Sequence, residues 1–162
     1  MTRVLLVTGS RSLADHPGAE AWARGLIHAA LVSVDLLIVG DAPGPDAWAA
    51  DEASPDDRIT VHRYITRGRD AGWIVTPQDP GDEEHFVSRW AQSNDTHPLK
   101  RNAAMVRHAA VRAELGRDVR VLALLDGTKR DAPGKRATRG TEHTAGLAAH
   151  AGIVVQREVW NG

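Results

Sequence analysis

The sequence predicts one α/β domain over residues 1–162, a Rossmann-like, mainly parallel five-stranded sheet in the order 3-2-1-4-5 with helices on both faces. Three observations predict it. Short apolar runs recur at Val4–Val7, Leu36–Val39 and Val119–Leu125, too short for helices and suited to strands buried on both faces. Between them, apolar residues fall at helical spacing, as at Ala19, Trp22, Ala23, Leu26, Ile27, Ala30 and Leu31. Each strand stops at a turn former: Gly9, Gly40-Asp41 or Asp126-Gly127.

Taken in order, the first strand ends at Thr8-Gly9-Ser10-Arg11, and a helix is expected from about Pro17. The second strand leads through Ala42-Pro43-Gly44 into a short helix from Pro45 with Trp48 and Ala49. Ile59 to Ile65 alternates and reads as the third strand. Thr66 to His97 is charged and rich in Gly, Pro and Asp, and is expected to be an insertion or lid, with a short helix near Asp82 to Trp90. Trp73 and Trp90 fit either base stacking or anchoring of this insertion. Pro98 opens the third helix, with Ala103, Val106, Ala110 and Ala113 on its buried face and Gly116 after its end. The fourth strand is followed by a basic loop, Thr128 to Arg139, read as a solvated loop or a binding lid. Gly140-Thr141 opens the fourth helix, and Ile153-Val154-Val155 starts the fifth strand.

Composition excludes several classes. Lys and Arg number 20 against 21 Asp and Glu, a net charge of −1, which speaks against a general nucleic-acid coat or an anionic-membrane binder. There are no cysteines, so disulfides, thiolate metal sites and a Cys nucleophile are excluded. No apolar run reaches the roughly 18 residues of a membrane span, and no secretory leader opens the chain, so a cytoplasmic protein is expected. His143 and His150 stand about 10 Å apart along one helix, too far to share a metal ion. No metal and no cofactor are expected.

Ligands of open parallel sheets sit at the carboxyl ends of the strands, where the strand order reverses. Here that edge carries Gly9, Ser10, Arg11, Gly40, Asp41, Asp126 and Gly127, with Gly140 and Thr141 beyond the basic loop. Backbone N–H groups and Arg suit phosphate, and Asp41 suits a ribose hydroxyl or, equally well, a turn or helix cap. Gly9→Val is expected to close the site and leave the fold intact.

Four collinear stretches carry a family resemblance: Val7-Thr8-Gly9-Ser10-Arg11, Gly40-Asp41-Ala42-Pro43-Gly44-Pro45-Asp46-Ala47, Pro98 to Val106, and Arg139-Gly140-Thr141. They resemble the SLOG superfamily of Lonely Guy phosphoribohydrolases and DprA-related proteins, within it the small bacterial and phage branch called YspA-like or YpsA-related. The resemblance implies a Rossmann-like sheet, a nucleotide-derived ligand, and roles for Arg101 and Asn102, which lie in the stretch where the phosphoribohydrolases have Arg-Lys-x-x-Met. It also implies a pair of glutamates after Gly-Thr, where this chain has His143 and Thr144, with Glu142 displaced by one position. That displacement turns a side chain by roughly 100°. Without the pair the N-glycosidic chemistry lacks its carboxylate; Arg101 and Glu142 are the catalytic candidates, and Asp41, Asp46 or Asp126 could serve as the carboxylate, although their spacing does not show it.

The expected function is therefore binding of a nucleotide-like small molecule, as a sensor or ligand-binding module. The first alternative is a phosphoribohydrolase acting on a nucleoside monophosphate. The second is a single-stranded nucleic-acid module, which the charge balance disfavours. No membrane partner is expected, and a homo-oligomer is left open.

Overall fold

The computed structural model describes residues 3–76, 88–91, 95–129 and 139–162. Five strands run parallel in the order β3-β2-β1-β6-β7: β1 (Arg3–Gly9), β2 (Leu36–Val39), β3 (Thr60–Tyr64), β6 (Asp118–Asp126) and β7 (Val154–Trp160). The expectation of a five-stranded sheet is corrected to seven strands, β5-β4-β3-β2-β1-β6-β7. The added β4 (Trp73–Val75) and β5 (Ser88–Arg89) come from the expected insertion and pair antiparallel beyond β3. They give β3 a partner for backbone groups that an edge strand leaves open. Their shortness and mixed polarity hide them from a periodicity reading. The expected helix near Asp82 to Trp90 and the basic loop lie largely outside the described residues.

The pleat divides the core. Leu5 and Val7 of β1 face the side where α1 (Ala19–Ala30) and α2 (Pro45–Ala53) pack, burying Ala23, Ile27, Trp48 and Ala49 with Leu122 and Leu124. Val4 and Leu6 face α3 (Pro98–Glu114) and α4 (Arg139–His150), against Met105, Val106, Ala109 and Ala148. A sheet buried on both faces explains why β1 and β2 read as unbroken apolar runs.

A 3-10 turn, Arg11–Asp15, follows β1, and α1 starts at Ala19 after its cap Gly18, within two residues of the expected Pro17. Polar contacts anchor the intervening turn. Ser12 Oγ donates to Asp126 Oδ2 at 2.6 Å, and His16 Nε2 lies 2.8 Å from the same oxygen. No helix among the described residues is long and apolar enough to cross a membrane.

Candidate functional site

A cavity of about 500 Å³ opens at the carboxyl edge of the parallel strands. Thr8 and Gly9 of β1 line it, with Arg11, Ser12, Ala14 and Asp15 of the 3-10 turn. Ala42, Pro43 and Asp46 come from the entry to α2, Pro98, Leu99, Arg101 and Asn102 from the first turns of α3, and Gly140 and Thr141 from that of α4. Three helices thus present their N-terminal turns to one space, where N–H groups and the positive dipole end favour anions.

The local geometry has specific causes. Gly44, the cap of α2, has φ 86° and ψ −130°, a conformation L side chains rarely adopt. It lets the chain turn sharply so that Pro45 starts α2 against the end of β1. The approach is close: a Cβ on Gly9 would stand 2.3 Å from Pro45 Cγ. Gly9→Val therefore disturbs packing as well as the cavity, which corrects the expectation of an intact fold.

At the floor lies a buried charge cluster. Arg101 is 4% exposed, although it sits on a helix. Its Nη1 donates to Asp41 Oδ1 at 2.6 Å, while Nε and Nη2 donate to Asn102 Oδ1 at 3.0 and 2.9 Å. Asp46 Oδ2 stands 3.9 Å from Arg101 Nη2 and accepts the Ala42 N–H at 3.1 Å. Asp41 also accepts the Thr66 N–H at 2.7 Å and the Thr66 hydroxyl at 2.8 Å.

The two carboxyls diverge in acidity. Burial pushes both up. For Asp41 the Thr66 donors and Arg101 outweigh burial and hold it below the usual carboxylate range. For Asp46 burial wins over Arg101 and the Ala42 N–H, and it rises to about 6.

Other expected site residues lie elsewhere. Asp126 is fully buried, and its carboxylate is occupied by Ser12, His16 and both the N–H and hydroxyl of Thr128. Burial raises it, but these hydrogen bonds prevail and draw it down to about 2. Ser10 accepts the Asp126 N–H at 3.2 Å, and Gly127 packs near Val159, Trp160 and Asn161. Asp126 and Ser10 hold the start of the 3-10 turn to the end of β6, and none of the three lines the cavity. Gly40 lies behind Arg101 and Asp46. Glu142 pairs with Arg157 of β7 at 3.6 Å and is not a lining residue, and Thr144 bonds the Gly140 carbonyl at 2.8 Å. His143 and His150 are exposed. Trp90 anchors the β4–β5 segment through an indole donor to Ile65 O at 3.0 Å, and Trp73 lies under the Arg89 guanidinium. Among the described residues no group of three or more His, Asp and Glu is placed to hold a metal ion.

No family model and no curated protein matches the chain. A solved structure does. The chain is similar to DNA processing protein A (DprA) from Streptococcus pneumoniae. The likeness covers 96% of this chain at 16% sequence identity and a TM-score of 0.47. This chain spans 58% of the length of that one.

The sequence reading missed Thr66, Ser12 and His16. Thr66 follows the third strand just as Asp41 follows the second, so the strand-end rule that selected Asp41 would have selected it. Ser12 and His16 carry no such signal, because their partner is 114 and 110 residues away respectively.

Proposed function

We propose that this cavity binds a phosphorylated, nucleotide-like small molecule, and that the chain works as a ligand-binding or sensing module. One observation carries the reading: a buried guanidinium and a buried carboxylate line the cavity onto which the N-terminal turn of α4 opens. Converging polar groups in a cleft at the carboxyl edge of a parallel sheet are what a small polar ligand needs. Arg11, exposed at the rim, adds a cation where an anionic group enters. Calorimetric titration with nucleoside monophosphates tests the reading, and absence of heat for all of them refutes it.

A second reading is hydrolysis of the N-glycosidic bond of such a ligand. It is favoured by Asp46, which puts a carboxylate in the cavity although the expected glutamate pair is missing. Chromatography of AMP, GMP, CMP and UMP after long incubation separates the two. The binding role predicts no free base; release that disappears in Asp46→Asn establishes the hydrolase.

A further inference from the structure

The sheet ends on β7, which among the described residues pairs only with β6. The opposite end closes on β5, whose two residues offer little to a further strand. β7 has seven residues, so its outer edge presents backbone N–H and C=O groups over about 23 Å. Beside it an apolar groove of about 330 Å³ runs between β7 and the end of α1, with Leu26, Ala30, Val32 and Val154 among its walls. Val154, at 68%, is the most exposed large apolar side chain among the described residues, and Val32 follows at 63%.

The pleat sorts β7 into two rows. Val154, Gln156, Glu158 and Trp160 lie on the α1 side, where Trp160 rests on Trp22 with ring centroids 5.5 Å apart. Val155, Arg157 and Val159 lie on the α4 side, where Arg157 pairs with Glu142. A strand that meets a second copy of itself about a two-fold axis pairs antiparallel, and facing residues point to the same side. The axis must then pass through one residue position. Centred on Glu158, two like carboxylates meet and Gln156 opposes Trp160. Centred on Gln156, Val154 opposes Glu158 and Val155 opposes Arg157. Centred on Arg157, every flanking pair matches: Gln156 faces Glu158, Val155 faces Val159 and Val154 faces Trp160. Gln156 already donates to Glu158 of its own strand at 3.0 Å, and its second N–H is left for the facing carboxylate. Two Arg157 side chains meet at the axis, but each brings its own Glu142 at 3.6 Å, so two cations meet two carboxylates.

We propose that β7 is an interface between two copies of this chain, paired antiparallel about a two-fold axis at Arg157 so that their sheets become continuous. Main-chain hydrogen bonds join the strands, and the facing side chains set the register. Val154, exposed in the single chain, is covered by the partner's Trp160, which Trp22 holds in place. Edge charges deter pairing where they meet their like; in this register the charge of Glu158 meets an amide.

The test begins with sedimentation equilibrium of the full chain over a hundredfold range of concentration, which should show a monomer–dimer equilibrium. Gln156→Glu sets carboxylate against carboxylate at two places and should weaken the dimer about tenfold. Adding Glu158→Gln exchanges the two members of each pair and should restore it. Disulfide cross-linking reads the register, and the chain has no cysteine of its own to compete. Arg157→Cys should give a covalent dimer on mild oxidation, because facing residues of an antiparallel pair stand roughly 4.5–5.5 Å apart at Cα. Val154→Cys should not, since its two copies would lie six positions apart, about 20 Å. A monomer at every concentration overturns the proposal. So does a dimer that Gln156→Glu leaves unchanged, or one that oxidation links through Val154→Cys and not through Arg157→Cys.

Discussion

Replacing Gly40 by Ala should damage the candidate site without adding an atom to the cavity lining. Gly40 ends the β2 edge directly behind the charge cluster. A Cβ there would lie 2.6 Å from Asp46 Oδ2, 2.7 Å from Arg101 Cζ and 2.9 Å from Arg101 Nε. Carbon contacts settle at roughly 3.5 Å or more, so the guanidinium would have to retreat by about 0.8 Å. It cannot retreat cheaply, because Nη1 is bound to Asp41 at 2.6 Å and Asn102 holds its other edge. Overpacking of this kind costs about 1–3 kcal/mol, and complete rupture of a buried charge pair about 3–5 kcal/mol. Gly40→Ala is thus expected to lose about 1–3 kcal/mol in urea denaturation and at least about tenfold in nucleotide affinity by calorimetry. Parent-like stability together with parent-like affinity would show that the cluster yields freely and that its geometry does not govern the site.

Arg101→Ala should lower stability by about 3 kcal/mol by urea denaturation, because it removes the guanidinium that faces half-buried Asp41 and buried Asp46; adding Asp41→Asn should recover part of that loss. The imidazoles of His62 and His108, stacked 5.4 Å apart, are both pushed down to about 4 by burial and then by neighbouring positive charge. The unfolded chain takes up these protons below about 6.5 and the folded chain only near 4, so stability present above pH 6.5 falls by about 3 kcal/mol for each imidazole as pH drops towards 4. Asp46, raised to about 6, binds its proton earlier when folded and opposes that loss between pH 6 and 3.8, so His108→Gln should flatten the acid limb and Asp46→Asn should steepen it in pH-dependent denaturation. Gly25→Ala, inside α1 with nothing within 4 Å of the new methyl, should raise stability by about 0.5–1 kcal/mol and leave nucleotide binding unchanged.

Local chemistry made much of the scaffold legible. The runs at Val4, Leu36 and Val119 name strands buried on both faces, since only such strands need apolar residues at every position. Glycine after Arg112–Glu114 marks the end of α3, and Gly116 adopts φ 81° there. The β4–β5 extension was not legible, because strands of three and two residues carry no period and are stabilised by the neighbour they join.

The sequence by itself determined that polar residues gather at the carboxyl edge of a parallel sheet, because strand period and turn chemistry are properties of neighbouring residues. It did not determine which of those residues look inward to a ligand. Arg101 and Asp41 are 60 positions apart, and Ser12 and Asp126 114 apart, yet each pair shares a hydrogen bond. Whether a carboxylate is already occupied depends on such long-range partners, and so does its acidity. Asp126, Asp41 and Asp46 look alike as strand-end or helix-start acids in the chain. Tertiary packing alone assigned the first to bracing a turn, the second to holding Arg101, and the third to the cavity.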